Sequence, residues 1–287
     1  MSASQCTLRR MSDTSRLRVV FLGSGSAGNA VAVTDGSTVV LVDCGFSARE
    51  TTRRLRLAGL EAASVAAVLV THEHSDHLRG VEVFARHNEC AVCATNGTQR
   101  AAGLDALAAE VVTLVPGEVL RIGTLAVLPF RTSHDAAEPV GYRIESRDGE
   151  VFGLATDTGV LTDEAAEALA DIDLLGLESN HDPDMLTNGP YPHFLKVRIR
   201  SDQGHLSNPD AADALERLAS DRLRHVFALH RSNTNNSASI ARRVLAARAA
   251  AIGLRVAVDV APQHDILDSR PAQGALFSVA DADGTAP

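Results

Sequence analysis

Apolar positions along the chain fall into short, β-branched runs separated by turns, alternating with segments of helical spacing. Arg18 to Leu22 (RVVFL) reads as a first strand. Asn29 to Thr34 alternates, Asp35-Gly36 is a hairpin turn, and Ser37 to Val42 (STVVLV) is the next strand. Ser47 to Glu50 forms a capping box that opens a helix, and Gly59 closes it. Ser64 to Val70 (SVAAVLV) is a buried strand, Leu78 to Asn88 has helical spacing, and Ala91 to Thr95 is a short strand. Strands follow over Glu110 to Val115 and Val119 to Phe130. Gly141 to Ser146 and Glu150 to Thr156 flank the Asp148-Gly149 turn. A helix over Asp163 to Ala170 precedes a strand over Asp173 to Glu178. Ser207 caps a helix running to Ser220, and His225 to His230 is a strand. A helix over Ser237 to Ile252 stops at Gly253, and Leu254 to Val260 is a closing strand. These elements predict one α/β domain over residues 17–260. The polar segment 1–16 is expected to be a disordered extension, with Met11 a candidate start, and 261–287 a loosely ordered tail.

What the strands run into is less ordinary. The buried run ending at Val70 is followed by Thr71-His-Glu-His-Ser-Asp-His77, and buried polar groups are costly unless something pairs with them. Metal-capable side chains recur at other strand exits, at His134, Asp157 and His230. With His72, His74, Asp76 and His77 they suggest one cleft at one edge of a sheet assembly. Imidazole with carboxylate suits zinc, manganese or iron rather than calcium, and so many donors suggest two ions. Asp43, at the end of an earlier strand, is either a turn residue or an anchor behind a ligating histidine.

Two other motifs carry less. Gly23-Ser-Gly-Ser-Ala-Gly28 has the spacing of a dinucleotide-binding loop, but a strand follows where that motif needs a helix, so no nucleotide cofactor is expected. Cys90 and Cys93 stand three apart in a strand and point to opposite faces, so they make no zinc or redox pair.

Composition narrows the picture in three ways. At 287 residues and 45% hydrophobic, the chain can bury a full core, built from Ala, Val and Leu because Trp is absent and aromatics are 3%. A net charge of −9 gives no global field for nucleic acid, although two bound metal ions would reverse that locally. No apolar run approaches the roughly 20 residues of a membrane helix, no secretory signal stands at the start, and four cysteines make no disulfide framework, so a cytoplasmic protein is expected.

The heptad at Thr71 to His77 resembles the H-x-H-x-D-H signature of the metallo-β-lactamase superfamily. Phe21 to Asn29, Thr132 to Asp135, Ala155 to Gly159, Glu178 to Asp182 and Gly204 to Asn208 together resemble its YycJ (WalJ) branch, bacterial metal-dependent nucleases linked to DNA exonuclease activity. The resemblance covers nearly Leu17 to Val260. It implies a four-layered αββα sandwich with the site at its edge. Two divalent ions, zinc or manganese or else iron, would be held by His72, His74 and His134 and by Asp76, His77 and His230, with Asp157 bridging. His230 is carried over from His230-Arg-Ser-Asn-Thr-Asn-Asn236, which departs from the branch at Arg231 and at Asn233-Thr234. Glu73 has no role in the pattern.

The implied activity is phosphodiester hydrolysis of nucleic acid, DNA foremost, with a metal-bridging hydroxide as nucleophile. Asp76, His181 and His205 are the catalytic candidates, because the leaving oxygen needs a proton from a histidine not used on metal. Lys196, Arg198, Arg200 and Arg231 are candidate phosphate contacts. Two alternatives share the fold: a small-molecule hydrolase for a thioester, lactone or cyclic phosphodiester, and a non-catalytic metal-binding regulator.

Overall fold

The computed structural model describes residues 17–107 and 109–270. The expected extension 1–16, Met11 within it, and residues 271–287 of the expected tail lie outside them. The first half of the chain runs β1 (Arg18–Gly23), β2 (Ala30–Thr34), β3 (Val39–Val42), α1 (Ala48–Leu57), β4 (Val65–Leu69), α2 (Ser75–Leu78), α3 (Val81–Asn88), β5 (Ala91–Thr95), α4 (Asn96–Ala102) and β6 (Val111–Leu114). The second runs β7 (Leu120–Ile122), β8 (Leu125–Arg131), β9 (Val140–Glu145), β10 (Val151–Ala155), α5 (Asp163–Ala168), β11 (Leu174–Glu178), α6 (Pro183–Asn188), α7 (His193–Ile199), α8 (Asn208–Arg217), β12 (His225–Leu229), α9 (Ala238–Ala251), β13 (Ala257–Val260) and β14 (Leu267–Asp268).

The strands form two seven-stranded sheets, ordered β14-β1-β2-β3-β4-β5-β6 and β13-β12-β11-β10-β9-β8-β7. Each is half antiparallel meander and half parallel. β1 to β3 pair antiparallel before β4, β5 and β6 join in parallel. β7 to β10 repeat the meander before β11, β12 and β13 join in parallel. Parallel pairing requires crossovers, and helices supply most of them, so each sheet has one face toward helices and one toward its twin.

Three apolar layers follow from this. Between the sheets lie Phe21, Val40, Leu69, Tyr142, Phe152 and Phe227, with the Phe21 ring 4.8 Å from Phe227 and 6.2 Å from Phe152. Leu41, Leu55, Val68 and Phe84 pack behind the first sheet, and Leu175, Leu215, Val226 and Leu245 behind the second. The result is an αββα sandwich. Cys93 joins the layer between the sheets and buried Cys90 the layer behind, on the opposite faces that strand geometry requires.

Local departures from the sequence reading have local causes. Ser47 Oγ accepts from the Glu50 amide, but Glu50 does not return to complete a capping box, because its carboxylate pairs with Arg53 and Arg54. The predicted helix 78–88 begins at Val81, as α3, and α2 is a separate short turn over Ser75–Leu78; at Gly80 between them a Cβ would stand 2.2 Å from the Phe46 carbonyl. Helix α4 and strand β14 were not expected. The packed structure runs past Val260: β14 pairs with β1, and buried Gln263 donates to the Gly28 carbonyl and accepts from the Ala27 amide. No helix among the described residues is long and apolar enough to cross a membrane.

The α1 ion pairs give a test of acid stability. Hydrogen bonding from Arg53, helped by Arg54, holds the Glu50 carboxyl down at about 2. A depressed carboxyl stabilises the fold above its unfolded pKa, about 4.3, and that contribution fades as pH falls toward 2. Glu50→Gln is expected to lower the thermal midpoint by roughly 1–3 °C at pH 7. The gap to wild type should close between pH 4 and 2, and a gap that persists at pH 2 in circular-dichroism melts would refute the assignment.

Candidate metal centre

Every donor at the site leaves from the C-terminal end of a strand, where parallel α/β sheets open their clefts. β4 exits into His72, His74, Asp76 and His77; β8, β10 and β12 exit into His134, Asp157 and His230. Three of the five non-glycine residues with positive φ among the described residues stand here: Asp43 (φ 59°), Asp157 (48°) and His230 (47°). Asp and His are among the side chains that tolerate this left-handed backbone best, and such backbone clusters at functional sites. At Gly45 a Cβ would lie 1.6 Å from the Asp76 carbonyl, so only glycine lets the Asp43 loop pass under the donor segment.

Among the described residues the donors form four overlapping groups, which include His72, His77 and Asp157 together and Asp157, Glu178, His205 and His230 together; two of the groups of three share no member. Nitrogens of His72, His74 and His134 lie within 4.8 Å of one another, as do donor atoms of Asp76, His77 and His230. Asp157 lies between the sets, Oδ2 3.2 Å from His77 Nε2 and Oδ1 3.2 Å from His230 Nδ1, and Oδ1 is also 3.9 Å from His134 Nε2. The seven residues singled out as ligands thus converge on one place.

Hydrogen bonds behind the donors fix their orientation. His77 Nδ1 donates to Asp43 Oδ2 at 2.7 Å, which turns Nε2 inward; Asp43 also accepts from the Thr71 amide at 2.8 Å. His134 Nδ1 donates to the Gly204 carbonyl at 3.0 Å, again leaving Nε2 inward. Glu73 accepts from the Ala137 amide at 2.7 Å and so clamps the loop that carries His134. The glycine-rich loop has the same bracing role: Ser24 Oγ accepts from the His230 amide, and the Asn29 amide donates to the Asp76 carbonyl, both at 2.8 Å.

Electrostatics suits a cation. Burial, then the neighbouring His77, drives the His72 imidazole well below its ordinary range, and burial lowers His134 as well. For His77 burial pulls downward too, but Asp157 and Asp43 together raise it well above its usual value. His230 is raised to about 10 against burial by Asp157, Asp76 and Glu178. Asp157 stays ionised despite burial because His230 and His77 hold it down. His72 Nε2 is buried and has no hydrogen-bond partner, although buried polar atoms nearly always have one. Three inward imidazoles, one of them orphaned, beside a buried anion form a donor set that fits divalent transition ions.

Residues 38–230 match the family described as the Beta-lactamase superfamily domain. The chain belongs to this superfamily. It is 37% identical to the exodeoxyribonuclease YycJ of Bacillus anthracis over 226 residues, 77% of this chain and 84% of that protein. It is 34% identical to the exodeoxyribonuclease WalJ of Streptococcus pneumoniae over 245 residues, 83% of this chain and 90% of that protein. The metallo-β-lactamase fold protein YhfI of Bacillus subtilis superposes with a TM-score of 0.68 at 15% identity, covering 88% of this chain and 99% of YhfI, which shows the shared fold.

The sequence reading placed Glu178 in a motif of the branch but gave it no role at the site. It is wholly buried at the end of β11. Its Oε1 accepts from His205 Nδ1 at 2.7 Å and from His230 Nδ1 at 3.1 Å, and its Oε2 from the Thr158 and Leu206 amides at 2.8 and 3.3 Å. Glu178, followed by Asp157, raises the His205 imidazole above its ordinary value against burial. His205 and Asp135 both line a cavity of about 210 Å³ beside the metal candidates. Asp135, also missed, sets Oδ1 3.4 Å from His134 Nε2 and binds Arg198 through Oδ2.

The four cationic candidates separate. Arg198 lines the cavity. Lys196 donates to the Thr187 and Gly189 carbonyls, Arg200 to Pro183 and Thr187, and Arg231 to Ser232, Asn233 and Asn236, so these three brace neighbouring loops. His181 is 2% exposed, its Nδ1 has no partner, and burial lowers it to about 4.

Proposed function

We propose that this metal-dependent hydrolase cleaves phosphodiesters in nucleic acid, acting as a DNA exonuclease. The observation that carries the reading is the likeness to two exodeoxyribonucleases along most of this chain and of theirs. The converging donors are consistent with it.

One ion would be held by His72, His74 and His134 and the other by Asp76, His77 and His230, with Asp157 facing both. When bound, such a pair supplies Lewis acidity toward phosphoryl oxygens and lowers the pKa of water. The chain's own residues do the rest. His205 donates Nδ1–H to Glu178, which leaves Nε2 as the atom to offer a proton to the leaving oxygen. Against burial, Glu178 raises the pKa of that imidazole and so favours its protonated form. His181 suits the task less well, because burial holds it neutral. Arg198 neutralises the incoming phosphate from the cavity wall, with Asp135 fixing its guanidinium in the ground state.

The test is the purified full chain on end-labelled single- and double-stranded DNA and RNA, with manganese or zinc. Progressive shortening from an end is expected, abolished by EDTA and restored by adding the ion back. Intact polynucleotides together with turnover of a thioester or lactone would reject the reading.

A further inference from the structure

We propose that α7 is a stacking platform that holds the terminal, unpaired nucleotide of a single-stranded substrate, with Phe194 against its base and Arg198 on its phosphate. The inference rests on the nucleic-acid reading of the same cavity and names the form of nucleic acid that fits it.

The first observation is the placement of one aromatic ring. The chain has eight Phe and two Tyr. Among the described residues, Phe194 is the one large aromatic that is exposed, at 73%, whereas the other described Phe and Tyr142 are buried. Val197, also on α7, is 54% exposed. The second observation is where that surface stands. Leu195, Arg198 and Ile199 on α7, with Tyr191 just before it, form one wall of the cavity that His205 and Asp135 also line. Phe194 and Arg198 are four apart and so lie on one side of the helix, which places the exposed ring one turn before the cavity arginine. The third is rigidity. Lys196 ties α7 to the Thr187 and Gly189 carbonyls at 2.9 and 2.7 Å, so the ring is presented on a fixed element.

Size and charge select the occupant. About 210 Å³ is less than the roughly 300–1,000 Å³ of pockets that enclose a drug-sized molecule. It has room for a phosphate and sugar, leaves the base at the mouth against Phe194, and is too small for a base pair. Aromatic stacking with an arginine on the backbone is how proteins hold single strands without reading sequence. Arg198 and His205 are the cationic groups of this cavity, and an incoming phosphate would share the Arg198 guanidinium with Asp135, which pairs with it at 2.5 Å and lines the same cavity.

The experiment is equilibrium binding by the metal-loaded full chain. The probes are a fluorescein-labelled single-stranded dodecamer with phosphorothioate links that resist hydrolysis, and a blunt hairpin of equal charge. Tighter binding of the single strand is expected. Phe194→Ala should weaken it about 5- to 150-fold, the loss of one base stack. Phe194→Trp should keep it, and Leu57→Ala, the truncation of another exposed apolar side chain on α1 (59%), should have no effect. Arg198→Ala should flatten the dependence of log affinity on log salt by about 0.7. The proposal is overturned if Phe194→Ala binds like wild type, if the blunt hairpin binds as tightly as the single strand, or if Phe194→Ala dissociates a dimer in sedimentation, which would make the patch a self-association surface. Loss of α7 effects while the wild type still shortens DNA would sink this inference alone. A wild type that neither binds nor cuts any polynucleotide would sink the nuclease reading with it.

Discussion

Asp157→Asn is expected to lower kcat/KM about a thousand-fold or more and to release metal, while the chain stays folded. The carboxylate is 2% exposed and approaches His77 and His230 at 3.2 Å, so it is the anion nearest the middle of both donor sets. Removing its charge takes away the group that would face two dications, and several kcal/mol of charge stabilisation corresponds to a thousand-fold or so in rate. Asparagine is the right replacement because it keeps the shape and tolerates the φ of 48° better than alanine would. Elemental analysis should find fewer ions per chain than in wild type, with an unchanged far-ultraviolet spectrum. Full metal content with activity within tenfold would remove Asp157 from the proposed ligand set.

Glu178→Gln should reduce kcat by roughly 10- to 100-fold, the usual cost of losing a partner behind a metal-site histidine. It should also change the pH profile. All four hydrogen bonds at Glu178 arrive from N–H groups, two from imidazoles and two from backbone amides. Whichever way a glutamine amide is turned, its NH2 meets donors, and a buried unpaired donor costs about 1–3 kcal/mol. The sign of the pH effect follows from His205. Glu178 raises that imidazole, so wild type keeps its proton further into the alkaline range. Without the anion the proton leaves at lower pH, and the variant should lose more activity at pH 8 than at pH 6. Thermal melts would separate this from loss of fold, and an unshifted alkaline limb in a folded variant would refute the role given to Glu178.

The donors themselves were legible in the sequence because each follows an apolar run. A strand that ends in histidine or aspartate is visible one residue at a time, as at Val70, Ala155 and Leu229. Glu178 ends a strand in the same way, yet a single acidic residue there looks like any strand exit. What distinguishes it is its pair of partners, 27 and 52 residues away, which only the parallel order of β10, β11 and β12 brings together. Strand β14 was invisible for a similar reason. Two residues in a polar stretch carry no period, and Arg18 meets Asp268 across 250 residues. Helix α4 contains a glycine and no apolar face, and it forms because Thr95 caps it and Glu138 accepts from the Gly97 amide. The basic segment was legible as a charge pattern but not as a division of labour, since helix packing decided which cations turn to neighbouring carbonyls.

Each set of three donors draws two members from the exit of β4 and one from the second sheet. Neither sheet alone therefore completes either set. During synthesis the first sheet's donors emerge by residue 77, but the last, His230, arrives only after four-fifths of the 287 residues have left the ribosome. A chain shorter than 134 residues would offer an ion donors from the first sheet alone, and the set of His72, His74 and His134 would close once β8 has docked. The set that needs His230 would close only with β12, so the two proposed ions would be taken up at different stages of folding, and a paired site would exist only in the finished protein.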